Sequence, residues 1–180
     1  MIVVNGKKLS QKEVNTLYVE ACNRLDLAKI AYALNVLNAD VNAKDPLGYL
    51  PAIAYVGRKT GVGEEERRHI DAIMRTLIAK GADIDFKYGD KHVANKSKPY
   101  FLHLIASNST FSDDLVFKMV DMLNQKYKNK DFLREYLDFK PQTKSHEPIS
   151  SISTIIQKQR PELYTKLQNQ GLVKKEEIKR

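Results

Sequence analysis

The chain of 180 residues contains one cysteine, no tryptophan and no long apolar run. A single cysteine excludes an intramolecular disulfide framework and fits a reducing compartment. No segment approaches the roughly 18 consecutive apolar residues of a transmembrane helix, so we expect no membrane partner. The first ten residues lack the apolar core of a secretory signal. The sequence therefore predicts a cytoplasmic protein and leaves delivery into another cell open.

The bulk composition is that of a globular protein with an excess of basic residues. Hydrophobic residues make up 42% of the chain and charged residues 29%, which argues against global disorder. The 30 Lys+Arg outnumber the 22 Asp+Glu, which gives a formal net charge of +8, with local concentrations at 87–98 and 173–180. Such an excess fits an acidic partner, nucleic acid or a membrane surface, and equally a lysine-rich solvated surface.

The first residues predict a small β-hairpin followed by a helix. Residues 2–9 are apolar at both ends, and Asn5-Gly6 suits a tight turn with positive φ. Ser10 and Glu13 have the spacing of a capping box, which predicts that a helix begins there. The apolar face expected for this helix consists of Leu17, Ala21 and Cys22.

An arrangement of short helix, break, longer helix and polar turn recurs along the chain. The polar turns align at 41–44, 84–87 and 137–140, and each is followed by a loop and a proline. These prolines are Pro51, Pro99 and Pro148. In the second cycle the longer helix has an apolar stripe and ends before Gly81, which is well placed as a left-handed residue. The stripe comprises Ile70, Ile73, Met74, Leu77 and Ile78. Such an internal period indicates a repeat architecture.

The turns resemble those of ankyrin repeats. The segments 38–43 and 81–85 are similar to the family's Gly-Ala-Asp-Val-Asn-Ala turn, and 45–48 followed by Leu50-Pro51 is similar to its continuation. The resemblance covers about 16–171. It implies an all-α helical solenoid with projecting hairpin turns, to which the N-terminal hairpin adds a small cap. The predicted boundaries are one domain over 1–180, with repeats at about 10–44, 45–86, 87–137 and 138–171 and a tail at 172–180.

Several regions depart from the repeat pattern, and neither the glycines nor the histidines form a familiar chemical motif. The insertion 57–66 is predicted to be a flexible loop over 57–63 with a helix start at Glu64, and 126–136 is predicted to include a short extra helix. Extra residues are also expected in the turn 87–98 and near 107–114. The glycines of 57–63 lack the order of a phosphate-binding loop. The four histidines and Cys22 lack short metal-ligand spacings. We therefore expect no catalytic residue, no metal and no cofactor. Under the resemblance, His103 is a structural histidine that bonds backbone, and Cys22 is a packing residue.

The resemblance implies a non-enzymatic protein-interaction module, such as an inhibitor, an immunity protein or an effector-like adaptor. It would bind a partner protein, favoured to be acidic, through a concave face and the hairpin turns. The predicted contact residues are Pro46, Leu47 and Tyr49 in the first turn, Phe86, Lys87, Tyr88 and Lys91 in the second, and Arg58 and Lys59 nearby. The alternative is a nucleic-acid-binding protein that uses the basic turn 86–98, where aromatics are interleaved with lysines.

Overall fold

Helices dominate the computed structural model, which describes residues 2–175, and a two-stranded hairpin precedes them. The all-α class predicted from the sequence is confirmed at this level, while stacking into a solenoid stays a prediction. Of the predicted tail, 172–180, the residues from 176 onward lie outside the described part of the chain. The chain divides into two compact units, Met1–Asp83 and Ile84–Arg180. No helix among residues 2–175 combines the length and the apolar character needed to cross a membrane.

The first unit begins with the predicted hairpin. Its elements are β1 (Ile2–Val4), β2 (Lys7–Leu9), α1 (Gln11–Asn23), α2 (Leu27–Asn35), α3 (Ala52–Gly57) and α4 (Gly63–Ala79). The two strands are antiparallel with Ile2 opposite Leu9. Asn5 and Gly6 take φ values of 48° and 78°, as a two-residue turn of this hand requires. The hairpin prediction is therefore confirmed.

Helix α1 begins at the predicted capping box but buries a different face. The Glu13 N–H donates to the Ser10 hydroxyl at 3.2 Å, and the Ser10 N–H donates to the Glu13 carboxylate at 2.8 Å. The buried residues are Val14, Tyr18, Val19, Ala21 and Cys22. The assignment of Leu17 to this face is wrong, because Leu17 is 45% exposed. Tyr18 takes the interior position, and its hydroxyl donates to the Val41 carbonyl at 3.0 Å.

Helix α4 follows its sequence pattern. Its buried residues are the predicted stripe, Ile70, Ile73, Met74, Leu77 and Ile78. Gly81 then ends the helix with φ 89°, a conformation that glycine adopts without strain. Glu64 pairs with Arg68 one turn later in the exposed first turns. Helix α4 begins at Gly63, one residue before the helix start predicted at Glu64, and residues 58–62 of the insertion connect it to α3.

The second unit contains five α-helices within its described residues. They are α5 (Phe101–Ser107), α6 (Asp113–Tyr127), α7 (Lys130–Asp138), α8 (Ile152–Gln159) and α9 (Pro161–Asn169), and a 3₁₀ turn at Asn95–Ser97 precedes them. Helix α7 is the short extra helix predicted within 126–136. Side-chain oxygens of Ser112, Asn129 and Ser151 cap α6, α7 and α8, each accepting a backbone N–H.

Three hairpin turns, which we call fingers, each lead into a short helix. In the first finger, 43–52, the Ala52 N–H donates to the Ala43 carbonyl at 2.9 Å. The second finger, 86–101, is closed by the same type of bond from Phe101 to Phe86 at 2.8 Å. The third finger, 141–149, is closed by a bond from Ile149 to Pro141 at 2.7 Å. They precede α3, α5 and α8 respectively, so the recurrence of a turn before a short helix is present in the structure.

Candidate functional site

The first finger is held in shape by one carboxylate. Asp45 accepts the backbone N–H groups of Tyr49 and Leu50 at 3.2 and 3.1 Å, and the Tyr55 hydroxyl at 2.9 Å. Burial acts to raise the pKa of Asp45, but the hydrogen bonds from Tyr55 and the backbone outweigh it and lower the pKa. Asp45 is therefore ionised at neutral pH, and a charged acceptor strengthens these bonds. The turn is organised before any partner arrives.

The tip of the first finger carries exposed apolar side chains. Leu47 is 77% exposed and Tyr49 is 65% exposed, and Pro46 between Asp45 and Leu47 is exposed as well. Isolated exposed apolar residues are common on any protein surface. Two large ones on a turn whose backbone is fixed by a carboxylate form a more specific feature, because both can be buried by a partner without ordering the turn first.

A groove extends from the first finger toward α1. It has a volume of ≈ 490 Å³, and its lining includes Lys12, Asn15, Thr16, Asp40, Lys44 and Pro46. The Asn15 side chain accepts the Asp40 backbone N–H at 3.0 Å, which ties α1 to the segment that leads into the finger. The groove therefore offers polar groups and both signs of charge next to the apolar tip.

Arg58 and Lys59 lie at the other end of α3 from the first finger. Arg58 is exposed at the C-terminal cap of the helix. Lys59 is half-buried, and its ammonium donates to the Asn23 side chain at the end of α1, at 2.9 Å. Because α3 spans six residues, roughly 9 Å separate its ends. Their role in binding stays a prediction.

The base of the second finger is engaged within the protein. The Phe86 ring stacks on Phe101 with centroids 4.8 Å apart. The Lys87 ammonium donates to the Lys96 carbonyl at 3.0 Å and lies over the rings of Tyr100 and Phe139, at 4.8 and 4.3 Å from their centroids. Burial lowers the pKa of Lys87. The side chains of Phe86 and Lys87 are both half-buried, so a partner could contact only their exposed part.

The two other predicted contact residues of the second finger differ in exposure. Tyr88 is half-buried, and its backbone N–H donates to the Pro99 carbonyl at 3.0 Å across the finger. Lys91 is exposed beyond that bond. Lys91 is therefore the most accessible of the four side chains predicted here.

An aromatic cluster around Asp85 anchors this finger to α7, and sequence reasoning missed it. The Tyr100 ring stacks on Tyr136 with centroids 3.7 Å apart. The Asp85 carboxylate accepts the hydroxyls of Tyr127 and Tyr136, and Lys126 pairs with it at 2.6 Å. Burial acts to raise the pKa of Asp85, but the hydrogen bonds from Lys126 and the two tyrosines lower it. In the sequence, the feature that points to this cluster is the set of aromatic residues in the insertion 126–136.

His103 bonds backbone groups on both sides of its ring. Its Nδ1 lies 3.0 Å from the Tyr100 backbone nitrogen, and its Nε2 lies 3.3 Å from the Phe139 carbonyl oxygen. Nδ1 must therefore accept and Nε2 must carry the proton, which is the neutral form of the ring. Burial lowers the pKa of His103 to about 4, so the ring is neutral at pH 7. The predicted backbone-bonding histidine is confirmed.

Cys22 is fully buried on α1, as expected of a packing residue. Burial raises the pKa of its thiol to about 12, so the thiol is protonated at neutral pH. Within residues 2–175, no group of three or more His, Cys, Asp or Glu side chains is arranged to hold a metal ion.

No family model matches the chain, and no curated protein matches its sequence. Function is therefore inferred from the geometry and chemistry of the fingers.

Proposed function

We propose that the protein is a divergent ankyrin-repeat protein that acts as a non-enzymatic protein-binding module. Three fingers that each lead into a short helix support the repeat assignment. The observation that carries the binding role is the exposure of Leu47 and Tyr49 on a turn fixed by Asp45. Such a module acts by blocking or recruiting its partner, as an inhibitor, an immunity protein or an adaptor.

The first finger meets the physical requirements of an anchor. Burying apolar area contributes about 25 cal/mol per Å², and an aromatic and an aliphatic side chain at one tip concentrate that area. Binding also loses less conformational entropy when the turn is already ordered. The bonds that Asp45 accepts provide this order without using the Leu47 side chain or the Tyr49 ring.

Nucleic-acid binding by the second finger is the weaker alternative. Bases stack on exposed aromatic faces, and here the rings of Phe86 and Tyr100 stack on Phe101 and Tyr136. The Lys87 ammonium is also engaged by the Lys96 carbonyl. We therefore favour a protein partner, and nucleic acid is an outcome that the experiment must distinguish.

The double variant Leu47→Ser/Tyr49→Ser tests the proposal. Immobilised wild type and variant are compared for the proteins that they retain from a native lysate treated with nuclease, identified by mass spectrometry. We expect the variant to lose a defined set of proteins that the wild type retains. Thermal unfolding should be unchanged, because both side chains are exposed.

The matched control is Val3→Ser/Val62→Ser, which removes two other apolar side chains that are 58% and 84% exposed. It should retain the same proteins as the wild type. Equal retention by the Leu47/Tyr49 variant would refute the role of the first finger. Proteins that the wild type retains from an untreated lysate, but not from the nuclease-treated one, would favour the nucleic-acid alternative.

A further inference from the structure

The second and third fingers lie side by side in the second unit. The Gln142 N–H donates to the Ser97 carbonyl at 2.8 Å, which joins the two fingers through their backbones. The charges of the two fingers also influence each other. The pKa of Asp90 is lowered chiefly by a hydrogen bond from the His92 N–H, and the charge of Lys144 on the third finger also lowers it. Residues more than 40 positions apart in the sequence therefore share one surface.

This surface is strongly basic. Residues 86–101 and 140–149 contain six lysines and two acidic residues. Lys87 is engaged at the base of the second finger, as described above. Four of the others are exposed, and we call them the basic face: Lys91, Lys96, Lys140 and Lys144. Of these two fingers, the sequence prediction placed contact residues only on the second, whereas the structure adds Lys144 on the third finger and Lys140 next to it.

Both fingers are held in defined conformations. In the second, Asp90 accepts the His92 N–H at 2.8 Å, and the aromatic cluster around Asp85 fixes the base. In the third, the Thr143 N–H donates to the Glu147 carbonyl at 2.9 Å. The backbone that carries the four lysines is therefore ordered, and only the side chains need to adapt to a partner.

We propose that the basic face is the docking surface for an acidic, Asp/Glu-rich segment of the partner protein. The inference rests on the proposed protein-binding function and adds the chemistry of the partner. Lysine provides point charges rather than the planar bidentate fork with which arginine contacts phosphates and bases. The rings of Phe86 and Tyr100 are stacked within the protein, and Asp90 and Glu147 interrupt the positive charge. These features suit a flexible acidic peptide better than a continuous line of phosphates.

Fluorescence anisotropy with a labelled oligoglutamate peptide tests this surface in the full chain at about 150 mM salt. The variant Lys91→Ala/Lys96→Ala/Lys140→Ala/Lys144→Ala should bind the peptide about tenfold more weakly than the wild type, because each of four exposed ion pairs contributes roughly a factor of two in affinity. The matched control carries the same charge change on other exposed lysines of the second unit: Lys118→Ala, Lys158→Ala, Lys174→Ala and Lys175→Ala. It should bind the peptide as the wild type does.

Three results would overturn the inference. One is the absence of peptide binding by the wild type, and another is an equal loss of affinity in both quadruple variants. The third is tighter binding of a labelled DNA duplex than of the peptide, with the duplex also released by the basic-face variant. The Leu47→Ser/Tyr49→Ser variant should keep its peptide affinity. The lysate experiment therefore tests the first finger and the peptide titration tests the basic face, so that either proposal can fail without the other.

Discussion

Arg160 is a buried charge whose hydrogen bonds hold the ends of two helices. Its side chain is 7% exposed, and its guanidinium donates to the carbonyls of Ala106 and Asn108, each at 2.9 Å. A further bond reaches the Asp113 carboxylate in the first turn of α6 at 2.8 Å. The last carbonyls of α5 have no partner within their helix. Arginine alone among side chains offers enough donors in one plane to satisfy them and Asp113 together.

Replacing Arg160 with methionine should therefore lower the free energy of unfolding by about 2–4 kcal/mol, because the Ala106 carbonyl loses its side-chain donor and the Asn108 carbonyl keeps only the Phe111 N–H. Urea unfolding followed by circular dichroism measures the change. Arg160→Lys should recover only part of the loss, since one ammonium cannot reproduce the planar set of bonds. Lys158→Met, at an exposed site in α8, should stay within about 0.5 kcal/mol of wild type. An Arg160→Met variant as stable as the wild type would contradict this role.

At the level of elements, the start of α4 depends on a glycine. Gly61 lies where a Cβ atom would come within 2.7 Å of the Arg67 backbone nitrogen. That separation is far below a van der Waals contact, and the obstacle is backbone, which cannot rotate away. The connection from α3 to α4 can approach the helix this closely only because residue 61 has no side chain.

Gly61→Ala should accordingly displace the first turns of α4 and lower the free energy of unfolding by about 1–3 kcal/mol. Hydrogen exchange should show reduced protection concentrated in the first turns of α4, rather than across α1. The neighbouring Thr60→Ala change, at an exposed position, serves as the control and should leave both measurements unaltered. Unchanged protection in α4 after Gly61→Ala would refute the close-approach argument.

Elements also differ in how well their faces could be predicted. The stripe of α4 was predicted in full, because five aliphatic residues at helical spacing leave one choice of interior face. Helix α1 offers a leucine and a tyrosine in adjacent positions, 17 and 18. Hydrophobicity favours Leu17, whereas the structure buries Tyr18, whose hydroxyl finds the Val41 carbonyl. The hydrogen-bond acceptor lies 23 residues away in the sequence, so the local pattern of α1 could not predict which residue is buried.

Over the molecule as a whole, the excess positive charge is uneven. Residues 84–180 hold 18 Lys+Arg and 12 Asp+Glu, which is +6 of the net +8. The basic face and the aromatic cluster belong to this same unit. The exposed apolar tip of the first finger belongs to the other. The chain therefore carries an apolar candidate contact in one unit and an electrostatic one in the other.

Global stability should depend on pH through His103. Its pKa in the folded protein is lowered to about 4 from an ordinary value of 6.5, chiefly by burial, while the charge of Lys87 acts in the same direction. Between these two pH values the unfolded chain binds a proton that the folded chain does not. The free energy of unfolding should therefore fall as the pH decreases through this window, by about 3 kcal/mol in total.

Urea unfolding at a series of pH values, compared between wild type and His103→Gln, checks this dependence. The variant should lose most of the slope between pH 6.5 and about 4, while the exposed His92→Gln control should keep it. Below that window, stability should fall further as Asp85 is protonated through its lowered pKa, in both proteins. An identical slope in wild type and His103→Gln would show that His103 is not the group responsible.

Features that depend on neighbouring residues could be predicted from the amino-acid sequence. The hairpin at 2–9, the capping box at Ser10, the stripe of α4 and the left-handed Gly81 follow from steric limits and hydrogen bonds that span a few positions. The turns before the short helices were predicted for the same reason. Proline and the Asx and glycine positions restrict the backbone wherever they occur.

Which side chains are engaged and which are accessible depends instead on the packing of the helices. This packing stacks Phe86 on Phe101, brings Gln142 to Ser97, and carries Arg160 to carbonyls more than 50 residues earlier in the chain. Each of these contacts joins segments that are distant in sequence, and no local propensity encodes their proximity. The basic stretch seen in the sequence therefore becomes part of a surface formed by two fingers. Packing places the Lys87 ammonium over the Phe139 ring and the third finger beside the second.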